Sequence, residues 1–553
     1  MDAITLDIMW NRLVATVNEQ AAALMRSSFT SIVREAGDLS AAVFDRRGRM
    51  VAQAVTGTPG HINSMATAMG HFLDRFPVDT LVPGDVLITN DPWLVAGQLN
   101  DITIVTPVFH EKDGKTRAIA FFASCCHALD IGGRGLSADS RSVYEEGLLI
   151  PIMKLYDAGR PVQPIFDLIE ANVRTPLEVM GDLHSQITGN EVGARQLLSF
   201  MNELGLDDIE ELADEIIDRS ERAMRARIEA LADGDYPFEL TIDGFDEPIS
   251  IRTVVRVRGD HIEVDFTGTS KSVGHGINVC SNYTLAYTNY GIKCAISPDV
   301  PNNEGSFRPV SMTAPQGCIL NAERPRPVGG RHLVGHFVPS AIMGALANAL
   351  PDKVMAPGFD ALWDTHLAGR DPRTGEQFSF TWFASGGTGA LNGQDGLSAT
   401  AYPSGIAGVP VEVMENLAPV IFTRRELRPD SGGPGRWRGG LGQTFEFTLA
   451  MDEPFLFSGL YDRIDHPAPG LAGGLPGAAG ILRVSGEREI RAKTSEILPA
   501  ETRVRIDLPG GGGYGDPKQR DPQAVRADIR NGYISAETAE RDYGHSGEGS
   551  ELR

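Results

Sequence analysis

Residues 89–133 constrain the fold of this chain more than any other stretch. Two apolar runs, 102–109 and 117–124, read as buried strands, and a short charged connection places their ends side by side. Those ends carry carboxylate, amide and imidazole side chains. Because ligand groups at the ends of apolar strands are how a rigid scaffold presents a site, we expect the functional centre here.

Carboxylate and imidazole groups at these strand ends predict a metal centre. Asp91, Asp101 and His127 are the predicted ligands, because hard oxygens with an imidazole suit Mn, Mg, Fe or Zn. The polar neighbours predicted to bind substrate are Asn90, Gln98 and Asp130. In the alternative interpretation, Asp91 and Asp130 only cap the turns at 90–92 and 132–133.

Three residues nearer the N-terminus are predicted to handle protons. Glu35 and Asp38 lie in a polar turn after the first helix, where either carboxylate could be a general base. The alternative is that they serve as caps and as ion-pair partners of Arg34. His61 opens a helix, whose dipole disfavours the protonated ring, so a neutral imidazole with a catalytic or a structural role is expected.

Composition excludes several classes of function. The chain has 553 residues, enough for two to four domains, and a formal charge of −23, which argues against nucleic acid or an anionic membrane as the main partner. No apolar run approaches the roughly 20 residues needed to span a bilayer. The five cysteines lack CxxC spacing, which predicts reduced thiols and a cytoplasmic location.

The order of periodic segments predicts a mixed α+β, multidomain chain with glycine-rich β layers in its C-terminal half. Helical spacing of apolar residues predicts a first helix over 5–28, with Thr5 as its N-cap. The predicted domains are an N-terminal α/β domain with the candidate site, a middle α/β domain, a glycine-rich β domain and a helical appendage, at 1–232, 233–355, 356–518 and 519–553.

The common nucleotide and hydrolase motifs are missing. The sequence at 114–116 lacks the earlier glycine of a P-loop, and there is no G-x-S-x-G elbow. The glycine run at 510–515 matches a dinucleotide fingerprint formally. However, Asp516-Pro517 follows where a helix should begin, so we do not expect it to bind a nucleotide.

Many motifs, in order along essentially the whole chain, resemble the hydantoinase B/oxoprolinase family. In the first half they are REAGDLSAAVFDRRGRMVAQA, GHINSM, PGDVLITNDP, LNDITIVTPVF, HALDIGG and EEGLLIP. In the second half they include VDFTGTS, PVEVMEN, ELRPDSGGPGRWRGGLG and LPGGGGYGDP. The resemblance implies a component of an ATP-dependent enzyme that opens hydantoins, 5-oxoproline or lactams.

The resemblance also implies partners and cofactors. A hydantoinase A-type partner would bind ATP and phosphorylate the carbonyl oxygen of a small-molecule substrate, which implies a hetero-oligomer. Some members carry a divalent metal (Mn, Zn, Fe or Mg) that polarises the carbonyl or activates water. Here Gln98 and Ala128 stand where members usually have His, and Gln binds transition metals more weakly than imidazole.

The resulting prediction is the B-type component of an ATP-dependent cyclic-amide hydrolase. A second interpretation is a component of an ATP-dependent ketone carboxylase of the acetone or acetophenone type, whose activity would depend on bicarbonate. A third is a non-catalytic scaffold chain that has lost its metal.

Overall fold

The computed structural model describes residues 2–485 and 490–545 of the chain. It begins with helix α1 (Ala3–Ser27), whose apolar positions, Leu13 and Val17 among them, are buried at helical spacing. The prediction of Thr5 as N-cap is wrong. The carboxylate of Asp2 instead accepts a hydrogen bond from the Thr5 backbone N–H at 3.0 Å, so the helix begins two residues earlier than predicted.

Residues 3–229 contain the predicted hairpins and helices. The helices after α1 are α2 (Ser31–Arg34), α3 (Pro59–Arg75), α4 (Val143–Glu146), α5 (Gln163–Asn172), α6 (Pro176–Leu204) and α7 (Glu210–Glu229). The strands are β1 (Leu39–Asp45), β2 (Met50–Gln53), β3 (Val86–Thr89), β4 (Asp101–Lys112), β5 (Lys115–His127), β6 (Met153–Asp157) and β7 (Arg160–Pro161).

These strands form an antiparallel sheet of order β2-β1-β5-β4-β3-β6-β7. Its central pair, β4 and β5, is the hairpin predicted from the apolar runs, and it is buried on both faces. Helices α1 and α6 cover one face, where Gly193 of α6 leaves room for the ring of Phe122. Helix α3 covers the other face. The sheet therefore holds the polar end of β4 and β5 rigidly.

The middle of the chain forms a second sheet with helices against it. Strands β8 (Gly234–Ile242), β9 (Ile249–Arg258), β10 (His261–Asp265) and β11 (Val310–Thr313) form a mixed sheet, in which β10 and β11 run parallel. The helices here are α8 (Ser281–Ile296), α9 (Glu304–Phe307), α10 (His332–Gly335) and α11 (Val338–Leu346). Helix α8 packs against both α3 and α11, which joins this unit to the N-terminal sheet.

The C-terminal half contains two further antiparallel sheets, of order β13-β12-β16-β18 and β14-β15-β19-β17. Their strands are β12 (Trp363–Arg370), β13 (Gln377–Ala384), β14 (Val420–Leu427), β15 (Gln443–Leu449), β16 (Phe455–Leu460), β17 (Ile481–Val484), β18 (Lys493–Leu498) and β19 (Val504–Asp507). Helix α12 (Val411–Leu417) precedes β14, and α13 (Pro522–Arg530) with α14 (Ala536–Tyr543) forms the predicted appendage. Residues 546–553 of that predicted appendage lie outside the described part.

The glycine-rich turns pack backbone against backbone. A Cβ added to Gly510 would lie 1.8 Å from the Ser431 carbonyl oxygen, and one added to Gly511 would lie 1.9 Å from that of Thr388. The backbone N–H groups of 510–513 all donate to backbone carbonyls of other loops. Because these donors are already used, the run is a structural layer and does not form a phosphate-binding loop.

The fold class is therefore mixed α+β with several sheets, as predicted. The largest hydrophobic cluster extends from Ile32 to Leu508 and joins the middle sheet to the two C-terminal sheets. The boundaries at 232, 355 and 518 stay predictions. None of the helices in the described residues is long and apolar enough to cross a bilayer.

Candidate active site

The centre of the site is the carboxylate of Asp101. In the β4–β5 ladder Asp101 is directly opposite His127, and Asp101 Oδ1 lies 3.1 Å from His127 Nδ1. Gln98, in the loop before β4, brings its Nε2 to 2.8 Å from Asp101 Oδ1 and 3.0 Å from His127 Nδ1. Sheet register therefore assembles three of the predicted residues.

His61 reaches the same carboxylate from the first turn of α3. Its Nε2 is 2.9 Å from Asp101 Oδ2, and its Nδ1 is 3.6 Å from Asp38 Oδ1. Asp38 is fixed in turn by the hydroxyl of Thr58, which donates to Asp38 Oδ1 at 3.0 Å. The imidazole of His61 thus lies between two buried carboxylates.

Burial and the two neighbouring carboxylates shift the pKa of His61 in opposite directions. Burial lowers the pKa of His61, but the charges of Asp101 and Asp38 outweigh it and raise the pKa above its usual value. The two carboxylates therefore act against the helix dipole, which was expected to disfavour the protonated ring. Burial raises the pKa of Asp101, but Arg331 and His61 outweigh it and hold that pKa well below its usual range.

A small cavity lies beside this cluster. The space that the centre of a water molecule can occupy in it is about 20 Å³, so the cavity has room for about one water. One wall consists of the cluster already described. The other wall comes from distant parts of the chain and is formed by Tyr283, Arg331, His332, His336, Leu362, Asp364, Phe383 and Ile406.

In the second wall Arg331 is charged, whereas burial favours the neutral forms of Asp364 and His332. Burial raises the pKa of Asp364 well above its ordinary value, with Asp38 adding to the rise, which favours the protonated carboxyl. Burial together with Arg331 lowers the pKa of His332 to about 3, so its imidazole is uncharged. His332 Nε2 and Asp364 Oδ2 are 3.4 Å apart.

Five buried polar atoms of residues that line the cavity lack a hydrogen-bond partner within the described part of the chain: His61 Nδ1, Gln98 Oε1, His332 Nε2, His336 Nδ1 and Asp364 Oδ1. Buried polar groups without partners are rare in native proteins and usually mark a bound water or a ligand. They come from both walls. The cavity is therefore suited to hold a water molecule between proton acceptors and a proton donor.

The remaining predicted residues lie elsewhere. Glu35 is partly exposed and pairs with Arg34 at 3.0 Å, the structural alternative considered for it. The side chain of Asn90 is used entirely by backbone groups, since its Oδ1 accepts from the Ile150 N–H and its Nδ2 donates to two carbonyls. Neither side chain lines the cavity.

Asp91 and Asp130 are tied to turns and to arginines. Asp91 accepts from the Trp93 N–H at 3.1 Å and pairs with Arg324. Asp130 accepts from the Gly132 N–H at 2.9 Å and from Arg174 Nη1 at 2.7 Å. The structure thus brings Asp38, His61, Gln98, Asp101 and His127 together, and places Glu35, Asn90, Asp91 and Asp130 outside the cavity.

The sequence reasoning missed one wall of the site. Arg331, His332 and His336 lie in the run GGRHLVGH, where two histidines four residues apart beside an arginine were a usable signal. Asp364 lies in the strand beginning WDTH, which carries no comparable signal because its partner is 32 positions away in sequence.

The residues present do not fit the expected divalent metal. Asp101 Oδ2 already accepts from Arg331 and contacts His61, and Asp91 pairs with Arg324 away from the cavity. Across 2–485 and 490–545, no three His, Cys, Asp or Glu side chains are arranged to hold a metal ion. The oxygen that would be the central ligand is therefore occupied by a cation from the protein itself.

The fold and the site define a member of a known enzyme family. The family model described as hydantoinase B/oxoprolinase matches residues 2–517, so the chain belongs to that family. Among its relatives, the B-type component of a putative D-/L-hydantoinase from Pseudomonas sp. (strain NS671) is 31% identical, covering 98% of this chain and 95% of that protein. The beta chain of the caprolactamase from Pseudomonas jessenii is 30% identical, and the match covers 98% of this chain and 96% of that protein.

Two solved structures share the fold. The ATP-dependent caprolactamase from Pseudomonas jessenii has a TM-score of 0.89 at 29% identity and covers 99% of this chain and 97% of its own. Nucleotide-free acetone carboxylase has a TM-score of 0.87 at 20% identity, and the match covers 98% of this chain and 79% of that chain. At that identity the second likeness is one of fold only.

Proposed function

We propose that this chain is the ring-opening component of an ATP-dependent cyclic-amide hydrolase. It acts with an A-type, ATP-binding partner in a cytoplasmic hetero-oligomer, and its substrate is a small hydantoin, 5-oxoproline or lactam. Membership of the hydantoinase B/oxoprolinase family supports this, as do near full-length relatives named as components of a hydantoinase and a caprolactamase. The likeness to the caprolactamase structure supports it further.

One observation of the site carries the proposal, namely that two walls with opposite protonation preferences face one water-sized cavity. In the first wall two carboxylates raise the pKa of the His61 imidazole, which makes it a stronger base, and in the second wall burial raises the pKa of Asp364 and lowers that of His332. Hydrolysis of an amide needs a base for water and an acid for the leaving nitrogen. Environments that push pKa values apart in this way assign the two roles.

His61 is the proposed general base. Its Nε2–H donates to Asp101, which leaves the unpartnered Nδ1 free to accept a proton from water held beside Gln98 Oε1. The imidazolium that forms lies between Asp101 and Asp38, whose charges stabilise it. Asp101 therefore fixes the tautomer and orientation of His61, the arrangement found when a carboxylate backs a catalytic histidine.

Asp364 is the proposed general acid. Burial raises the pKa of its carboxyl and so favours the protonated form, its Oδ1 has no partner, and it lines the same cavity as His61. When water adds to the carbonyl carbon and the ring C–N bond breaks, the nitrogen takes the Asp364 proton. The uncharged His332 ring lies beside this carboxyl, with Nε2 3.4 Å from Asp364 Oδ2.

The partner supplies the activation that the amide requires. Phosphorylating the carbonyl oxygen converts a poor electrophile into one that water attacks. Ring opening then leaves an acyl phosphate, which a second water hydrolyses to carboxylate and phosphate. This division is consistent with the fact that the glycine run at 510–513 has no free backbone donors for a nucleotide.

The test is to purify the chain with its partner and measure ADP release and ring-opened product for a panel of hydantoins, 5-oxoproline, lactams and ketones. We expect turnover of a cyclic amide that requires ATP and the partner and does not require bicarbonate. Activity on a ketone that depends on bicarbonate would instead support the carboxylase alternative. ATP-dependent ring opening by this chain alone would contradict the two-component assignment.

A matched pair of histidines on α3 tests the catalytic role against the scaffold alternative. His61→Ala should reduce ring opening by about 100-fold to 10,000-fold, the usual contribution of general base catalysis. His71→Ala changes an exposed histidine of the same helix and should leave turnover unchanged. Equal activity of both variants would favour a scaffold chain without catalytic groups.

A further inference from the structure

Arg331 is a buried cation whose guanidinium is held by specific hydrogen-bond partners. Only 3% of the residue is exposed, and its Nη2 donates to the fully buried Asp101 carboxylate. Its Nε donates to the carbonyl oxygen of Ala96 at 2.6 Å. Because a buried guanidinium without a carboxylate partner is strongly unfavourable, this pair has to form as a unit when the chain folds.

The surroundings of Arg331 are shaped around its side chain. The guanidinium carbon lies 4.1 Å from the centre of the Tyr283 ring, in a cation–π contact. Gly97 has a φ of +83°, and a Cβ at that position would lie 2.8 Å from Arg331 Cδ. A glycine in the loop before β4 therefore leaves the space through which the arginine reaches Asp101.

The charge of Arg331 does what a bound cation would do at this point. Arg331 places a positive charge against Asp101 and holds one of its oxygens, while His61 contacts the same oxygen at 2.9 Å. A divalent ion on this carboxylate would have to displace the guanidinium and would be repelled by it.

We propose that Arg331 is a built-in cation that takes the place of a divalent metal at Asp101, so the site functions without a metal of its own. Arg331 is a positioning residue: it holds the Asp101 carboxylate in place, and Asp101 in turn orients His61. The metal-free state follows from the Arg331–Asp101 contact alone. The link to catalysis rests on the proposed ring-opening function.

The first experiment measures metal in the wild-type full chain, without ATP or Mg²⁺. The protein is incubated with Mn²⁺, Zn²⁺ or Fe²⁺, passed through a desalting column and analysed by inductively coupled plasma mass spectrometry. We expect far less than one metal per chain and no change in Tm with any of the ions. One tightly bound metal per chain that is lost in Asp101→Asn would overturn the proposal, whatever the substrate proves to be.

The second experiment removes the arginine. Arg331→Ala should lower the Tm, and millimolar guanidinium, Mn²⁺ or Zn²⁺ should raise it again, because each places a cation back on Asp101. Arg438→Ala is the matched control, since Arg438 is also buried and pairs with Asp528. Recovery by the same ions in the control, or none in Arg331→Ala, would contradict a cation site at Asp101.

The pH profile separates positioning from a purely structural role. In the complex with the partner, Arg331→Ala should lower kcat more than it changes KM, and guanidinium should restore part of kcat. The rate of the variant should also depend on pH in a shifted range, because Asp101 loses the charge that keeps it ionised. An unchanged profile with lost stability only would show that Arg331 does not act through Asp101. If Arg331→Ala does not fold, the wild-type metal measurement still decides.

Discussion

Replacing Glu146 by Gln tests how the segment that carries Arg331 and His332 is held in place. Glu146 is 4% exposed, and its Oε1 accepts hydrogen bonds from the backbone N–H groups of Val328 at 2.9 Å and Gly329 at 2.8 Å. These bonds anchor the chain immediately before Arg331. Burial nevertheless raises the pKa of Glu146 from 4.5 to about 7, since it outweighs the two hydrogen bonds that lower it.

The raised pKa sets the sign and size of a pH effect on stability. Below about pH 4.5 Glu146 is protonated in both the folded and unfolded states, and it has no effect on stability. As the pH rises from 4.5 to about 7, the unfolded state releases this proton while the folded state keeps it, so the free energy of unfolding decreases until it levels off above pH 7. A rise of the Glu146 pKa from 4.5 to about 7 corresponds to a loss of roughly 3 kcal/mol.

Urea denaturation of the wild type and Glu146→Gln at several pH values from about 5 to about 8 measures this loss. We expect the stability difference between the two proteins to shift in favour of the variant by roughly 3 kcal/mol across that range. Glu145→Gln is the control, because Glu145 is partly exposed and pairs with Arg134. Parallel pH curves for the wild type and Glu146→Gln would refute the assigned burial of the charge.

Further predictions concern the site and the residues outside it. Asp364→Asn should reduce kcat by about 100-fold or more, and should abolish the fall in rate at alkaline pH that we expect in a pH profile of the wild type. Gly97→Ala should lower stability by about 1–3 kcal/mol in a thermal melt and reduce kcat, because the new Cβ meets the Arg331 side chain. Asp91→Asn should cost about 1 kcal/mol or less and leave kcat unchanged, because its pair with the partly exposed Arg324 lies outside the cavity.

Local pattern made much of the fold predictable. The first helix, the β4–β5 hairpin and the three helices over residues 163–229 follow from apolar periodicity and from breaks at Pro176 and Gly205, which the structure confirms. The N-cap is Asp2, three residues before the predicted Thr5, because Asp and Thr compete for that role. Glycine-rich turns were predicted, but their backbone-to-backbone packing depends on contacts between distant loops.

In the site, only the contacts between residues that are close in sequence were predictable. Asp101, Gln98 and His127 are near each other in a hairpin, so their proximity follows from the short connection. Arg331 lies 230 positions from Asp101, and no periodicity links them. Asp130 and Asp91 stand in turns where a carboxylate that caps and one that binds a ligand look the same in sequence.

The most direct test of the central claim is a single-turnover experiment in ¹⁸O-labelled water with the assembled complex. The wild type should convert a cyclic amide to a ring-opened product that carries ¹⁸O in its new carboxylate. The His61→Ala complex should still release ADP in a first burst, because the partner phosphorylates the substrate. It should form product more slowly than the wild type, by a factor of about 100 at least. Ring opening at the wild-type rate in His61→Ala would contradict the assignment of this cavity as the place where water attacks.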